Sequence, residues 1–426
     1  MRRLAPLICL ALTHTLVDTC ALLIAPLWPR LNAIYAFSVA GLSLAFIVQS
    51  LPTSISQVVF GYFRDRRPAP IWLWAGPAMA AVFLTTIGLI EHRAVLFALL
   101  IIGGIGVGAF HPEAAVLSGK LIPGERTKGI SMFMFGGSLG LALGPILSGV
   151  VVGGWSVTEQ TVVGGWGLRG LAFLMLPVLV AILALRKIGG LAEAEMQTTH
   201  DYNSQKESTT EAALPPSTSL REMLGGRASF AVVLLVVCSL RLVPNMAMDK
   251  VLAFTLKQPH WGYDEAMIGV AQSVFLIAAS VGMFFMVFRF RAGLEKASLV
   301  ACPLLAVPLM LILGWQGCPP WLLFTAIALS GIVLWGTSPA MVSYAQQQFP
   351  KGAGFASALT MGMAWGIGGL IQAPLTSYFE NAGNPQMTFL ACIPCLLVAG
   401  IVAIFMPPSR VESDVEAVEK TQPVTG

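Results

Sequence analysis

Apolar residues run along this chain in long blocks rather than in alternation. Twelve blocks stand out, at about 4–28, 40–63, 71–90, 94–118, 130–153, 167–186, 229–256, 265–289, 297–315, 320–345, 353–378 and 387–406. A helix needs roughly 20 apolar residues to cross the hydrocarbon of a bilayer. Each block therefore predicts a membrane-spanning helix. The longest polar interruption, 188–227, is rich in Ser, Thr and Glu and carries Pro215-Pro216. It predicts a flexible linker, with a short amphipathic helix near Leu220–Leu224 at most. Residues 408–426 predict a disordered tail. The linker divides the spans six and six, into a bundle over 1–187 and a second over 228–407. The fold class expected is an all-α membrane protein of twelve transmembrane helices in two six-helix bundles.

The two bundles are related copies. Gly104, Pro112 and Pro123 recur as Gly331, Pro339 and Pro350, each 227 residues on (331 − 104, 339 − 112, 350 − 123). That shift lays GIGVGAFHPEAAVLSGKLIP over GIVLWGTSPAMVSYAQQQFP. Parallel repeats of this kind are a hallmark of secondary transporters, whose sites lie where the halves meet.

Composition agrees with a membrane protein: of 426 residues, 56% are hydrophobic and 11% charged, against about 25% charged in soluble domains. The net charge of +4 is no nucleic-acid signal, because topology distributes it. Lys and Arg gather at Arg2/Arg3, Arg64/Arg66/Arg67, Lys120/Arg126/Lys128, Arg186/Lys187, Lys206/Arg221/Arg227, Arg289/Arg291/Lys296, Lys351 and Arg410/Lys420. Twelve spans put all of these on one side. The positive-inside rule makes that side, with both termini, the linker and the tail, cytoplasmic. The first block reads as a span rather than a leader peptide, since His14 and Asp18 interrupt it. The seven cysteines are scattered, and Cys392 with Cys395 reads as helix packing rather than a redox pair. Gly104-x-Gly106-x-Gly108 lies inside an apolar span and reads as packing, not as a nucleotide loop.

Ionisable residues inside spans cost about 2.5–3.5 kcal/mol each on insertion scales and mark functional sites. His14 and Asp18 lie four apart near the middle of the first span, on one helix face. His111 and Glu113 flank Pro112 in the fourth, and Arg241 lies in the middle of the seventh. The 227-residue shift carries His14 to Arg241, Asp18 to Asn245, His111 to Ser338 and Glu113 to Ala340. The first half holds titratable groups and the second a fixed cation. Asp18 and Glu113, with His14 and His111, are the candidate proton carriers. Arg241 is the candidate partner for an anionic substrate group, and Gln49, Trp335 and Tyr344 could line the same cavity. Asp249 and Lys250 read as a mouth-level pair.

Two loop and helix motifs suggest gating. Gly61-x3-Asp65-Arg66 follows the second span and resembles the loop signature of major facilitator transporters. Gly136-x3-Gly140-x3-Gly144-Pro145-x2-Ser148-Gly149 in the fifth span resembles the antiporter signature of proton-coupled exporters, which implies a seal that favours exchange. The loop after the eighth span, FRFRAGLEKAS, lacks the equivalent Gly and Asp. Three further stretches add to the likeness: Thr13-His14-x3-Asp18, Phe110-His111-Pro112-Glu113, and Val342-Ser343-Tyr344-Ala345-Gln346-x2-Phe349-Pro350 with the Gly-rich run after it. Together they resemble the fosmidomycin-resistance group of major facilitator exporters. The resemblance implies an inner-membrane, proton-driven efflux carrier for a small organic compound or drug, with no cofactor beyond the proton motive force. A monomer in the lipid bilayer is expected, with protons and the small-molecule substrate as its partners. A proton symporter that imports a nutrient or organic anion is the alternative. An enzyme or sensor is disfavoured, since no nucleophile or metal constellation stands out and the loops are too short for a soluble domain.

Overall fold

The computed structural model describes residues 4–64, 70–121, 126–158, 161–187, 224–289, 293–349, 356 and 359–409. The first half comprises α1 (Leu4–Leu22), α2 (Trp28–Tyr35), α3 (Val39–Arg64), α4 (Trp72–Thr85), α5 (Arg93–Leu121), α6 (Arg126–Gly153) and α7 (175–187). The second comprises α8 (Ala228–Lys257), α9 (Glu265–Arg289), α10 (Glu295–Leu313), α11 (Pro320–Ser330), α12 (Ser338–Gln348), α13 (Ala364–Asn381) and α14 (Met387–Ile404). A 3₁₀ turn, Ala25–Leu27, joins α1 to α2, so the first span reaches Tyr35 rather than residue 28. A π-turn, Gly331–Trp335, joins α11 to α12.

Eleven described segments are long and apolar enough to cross a membrane. The block at 353–378 is not among them. Its described part is a π-turn, Leu359–Met363, followed by α13, whose buried face carries Gln372, Thr376 and Ser377. Those side chains meet protein rather than lipid, so they lower the hydropathy of the segment without being exposed to hydrocarbon. The all-α expectation has one small exception, an antiparallel hairpin of β1 (Trp155–Thr158) with β2 (Thr161–Val163) in the loop after α6. Linker residues 188–223 and tail residues 410–426 lie outside the described residues.

The duplication is visible in the packing. A Cβ on Gly104 would meet Pro52 and Thr53 of α3, and one on Gly331 would meet Phe275 and Ala279 of α9. The shift of 227 takes Pro52 and Thr53 to residues 279 and 280, so the same helix pair closes in each half. Between the halves, α6 lies antiparallel on α9: Gly149 faces the Glu265 backbone, Pro145 faces Gly269, and Ser273 donates to Ala142 O at 2.6 Å. Helix α13 and the π-turn before it lie antiparallel on α3, with Gly362 of the turn against Val58, Gly366 against Leu51 and Ser54, and Gly369 against Ser50. Helix α1 starts and α14 ends at one end of the bundle, the terminal end. The other is the distal end.

Candidate functional site

A buried polar cluster lies on three first-half helices. His14 and Asp18 project from α1, His111 from α5, and the backbone of α6 closes the third side. His14 is 2% and Asp18 6% exposed, while His111 is half-buried. His14 Nε2 lies 3.2 Å from Asp18 Oδ2, His111 Nε2 lies 3.3 Å from Asp18 Oδ1, and the two Nε2 atoms are 3.1 Å apart. The His14 ring also stacks on Phe133, with centroids 3.9 Å apart and planes at 18°.

The other ring nitrogens fix the tautomers. His14 Nδ1 is 2.8 Å from Phe133 O, and His111 Nδ1 is 2.7 Å from Val107 O. A carbonyl oxygen can only accept, so both Nδ1 atoms carry hydrogen. In neutral rings both Nε2 atoms then turn lone pairs toward each other and toward a carboxylate, which is itself acceptor-only when ionised. Three acceptors converge with no donor between them. One added proton makes the cluster neutral and supplies the missing donor. A second gives one N–H···O bond to each Asp18 oxygen and a net positive cluster. The arrangement is built to take up and give back protons. Ligand-type atoms of His14, Asp18 and His111 also lie within 4.8 Å of one another. A closed metal site takes four ligands, and the described residues add no fourth His, Cys, Asp or Glu to the group.

This geometry sits in a duplicated twelve-block helical frame, and residues 10–372 match the model of the Major Facilitator Superfamily. The chain belongs to the Major Facilitator Superfamily. It is 25% identical over 416 residues to the MFS-type transporter YfnC of Bacillus subtilis (strain 168), covering 95% of this chain and 93% of that one. It is 24% identical over 414 residues to the fosmidomycin resistance protein of Escherichia coli (strain K12), covering 94% and 92%. Among solved structures, a bacterial homologue of the human lysosomal transporter Spinster, inward-facing and unoccupied, superposes with a TM-score of 0.69 at 13% identity, covering 95% and 96%. The xylose transporter XylE from E. coli, partially occluded and inward open, gives 0.69 at 14% identity, covering 96% and 100%. At such identities the likeness speaks to the fold. This major facilitator protein is a multi-pass secondary transporter and not an enzyme.

Within that frame the predicted residues separate. His14, Asp18 and His111 come together. Glu113 is buried, at 6% exposure, but two residues along α5 from His111 it points to another side of the helix and stays outside the cluster. Arg241, 1% exposed, donates through Nη2 to Leu334 O at 2.7 Å and to Thr337 Oγ1, and through Nη1 to Met341 Sδ at 3.5 Å. It pairs with no carboxylate among the described residues. Gln49 accepts from Trp28 Nε1 at 3.2 Å and, with Thr53, Gly104 and Val107, lines a first-half cavity of about 20 Å³. Trp335 is half-buried on the π-turn, in edge contact with Trp365 at 5.0 Å. Tyr344 is not brought to the site: fully buried near the terminal end, its hydroxyl donates to Pro407 O at 2.7 Å.

The fifth-span glycines divide between two seams. A Cβ on Gly136, Gly140 or Gly144 would strike the carbonyls of Ala11, Thr15 and Thr19 on α1, while Pro145 and Gly149 face α9. Gly61 is less demanding, since a Cβ there would make ordinary contact with Pro112 at 3.9 Å. Asp65 and Arg66 lie outside the described residues. Asp249 and Lys250 do pair, with Lys250 Nζ 2.9 Å from Asp249 Oδ2, and Lys250 also sits 5.9 Å from the Phe46 ring centroid of the other half.

Sequence reasoning missed three contributors. Gly137 floors the cluster: a Cβ there would collide with the His14 ring and lie 2.9 Å from Asp18 Oδ2. Phe133, one turn earlier on α6, supplies the stacking ring and the carbonyl, and their i, i+4 spacing was the available signal. Glu295 was the third. Its carboxylate accepts from Gly293 N at 2.9 Å and from Gln347 Nε2 at 2.9 Å. Gly293 is thus tied by a glutamate placed after it, where the first-half pattern led one to look for an aspartate.

Proposed function

We propose that this protein is a proton-coupled exporter of a small organic compound in the inner membrane, working as a monomer with both termini in the cytoplasm. The observation that carries the reading is the convergence of two imidazole Nε2 atoms on the buried Asp18, with both Nδ1 atoms committed to backbone carbonyls. Such a cluster changes charge by one with each proton in a place where charge is expensive. That links protonation to helix movement: α1, α5 and α6 hold the cluster, and α6 is also the helix on which the second half packs. Glu113 lies off this path, so the coupling proton is assigned to Asp18 and its two histidines.

Export is favoured by the fifth-span glycine pattern, whose Pro145 and Gly149 face α9 at the distal end while its earlier glycines pack on α1, and by the likeness to the fosmidomycin resistance protein. Fosmidomycin is accordingly the first compound to test. Inside-out membrane vesicles that hold an acid interior should lose part of their pH gradient when fosmidomycin is added. Asp18→Asn should abolish that loss, with at least a ten-fold drop in coupled proton flux. Equal gradient loss in wild type and Asp18→Asn would remove the proton assignment. Movement of the compound out of such vesicles instead of into them would make the protein an importer.

A further inference from the structure

The second half keeps the frame of the proton cluster and changes its chemistry. Val107 O, which holds the His111 ring in the first half, corresponds to Leu334 O (334 − 107 = 227), which holds the Arg241 guanidinium in the second. Arg241, Asn245 and Ser338 therefore occupy in their bundle the places that His14, Asp18 and His111 occupy in theirs. The π-turn Gly331–Trp335 contributes by pairing Gly336 N with Gly331 O, five residues back. A π-turn disturbs the i→i+4 ladder, and here Leu334 O accepts from a side chain.

The two places differ in how well they are satisfied. Every polar atom of the first-half cluster has a partner. In the second half, both amide atoms of Asn245, the Ser338 hydroxyl and Gln372 Oε1 are buried with none. Asn245 is 2% and Gln372 0% exposed. Gln372 lies one turn beyond Gly368, which packs on Ser239 and Leu242 of α8. The parallel run of α13 beside α8 brings it to the level of Asn245. Each buried polar group without a partner costs about 1–3 kcal/mol. Arg241 adds a buried cation whose described partners are two oxygens and a sulfur, all uncharged. One orphaned amide is a packing accident. Orphaned atoms on Asn245, one turn from Arg241 on α8, on Ser338, next to its partner Thr337, and on Gln372, whose Nε2 donates to Thr376, together call for a ligand at the pseudo-symmetric position of the proton cluster.

A guanidinium, an amide N–H and a hydroxyl together donate to oxyanions. We propose that Arg241, Asn245 and Ser338 seat the oxyanion of the transported molecule, a carboxylate, phosphate or phosphonate, while Gln372 Oε1 accepts from a hydrogen-bond donor elsewhere on it. This rests on the transport reading and names its substrate class. The division of labour follows the duplication: one half binds protons, the other binds an anion.

The test is thermal stabilisation of the purified full chain by acetate and by inorganic phosphate, with acetamide and methylammonium as uncharged and cationic controls. One or both anions should raise the melting temperature saturably, and the controls should not. Asn245→Ala and Ser338→Ala should each weaken the apparent affinity about ten-fold. Arg241→Lys should weaken it at least as much, because an ammonium offers no fork. The two alanine variants keep the test valid if Arg241 variants fold poorly. Unchanged anion affinity in both, or equal stabilisation by the controls, overturns the proposal. Asp18→Asn separates the two readings. Anion stabilisation retained there, with coupled proton flux lost, supports both. No anion stabilisation in a wild type that still couples protons sinks the oxyanion seat alone, and anion stabilisation without proton coupling sinks the earlier reading alone.

Discussion

Asp18 is tolerable in the membrane interior because two imidazoles share its charge, and the imidazoles stay in place because α6 leaves no room for anything else. Gly137 provides that fit. A methyl group there would meet the His14 ring and Asp18 Oδ2, and forced overpacking of this kind costs about 1–3 kcal/mol. Gly137→Ala should therefore lower the melting temperature and cut coupled proton flux at least ten-fold, since the His14–Asp18 contact must open. Flux at the wild-type level in a folded Gly137→Ala protein would mean that the cluster geometry is not what couples. The sequence placed His14 and Asp18 on one face of one helix, which their spacing dictates. It could not choose between His111 and Glu113. Two residues apart on one helix they cannot face the same way, but only the packing of α5 against α1 shows which one faces inward. Nor did a single-strand pattern reveal that Tyr344 bonds to Pro407 O, because that contact joins residues 63 apart in the chain.

Helix α6 is the element that joins the rest. Three of its glycines, Gly136, Gly140 and Gly144, press on α1, and Gly149 presses on α9. Gly140→Leu should wedge α1 from α6 and destabilise the protein by several kcal/mol, at the upper end of single-residue effects. Gly61→Ala should stay within about 0.5 kcal/mol, because a Cβ there makes an ordinary 3.9 Å contact. Thermal melts of the two variants compare a packing glycine with a permissive one. If Gly61→Ala proved as damaging as Gly140→Leu, the seam assignment would fail. The span lengths and the small-residue spacing of α6 were legible because both follow from hydrophobicity and helical period. The π-turns at Gly331–Trp335 and Leu359–Met363 were not, since one extra residue per turn leaves no compositional trace. The polarity of α13 was likewise hidden within an apolar block, because its glutamine and hydroxyl groups serve the interior.

At the scale of the whole molecule, several described contacts join the halves at the distal end. Ser273 donates to Ala142 O, Arg30 Nη1 of the first half lies 3.7 Å from Glu265 Oε1 of the second, and Phe46 and Phe254 meet with centroids 6.3 Å apart. With Arg30 only partly buried and solvent-screened, the ion pair contributes little, on the order of 0–1 kcal/mol; the backbone approach of α6 to α9 carries the closure. If the protein works by rocking its halves, this seam must part once per cycle. Ala142→Cys with Ser273→Cys, in a background with the seven native cysteines replaced, puts that requirement to the test. Oxidation should cross-link the pair and stop transport, and reduction should restore it. A compound that holds the protein closed at the distal end should raise the cross-linked fraction, and one that opens it should lower that fraction. Full transport by the cross-linked protein would mean that the α6–α9 seam is a fixed strut, and that the moving surfaces lie elsewhere between the two halves.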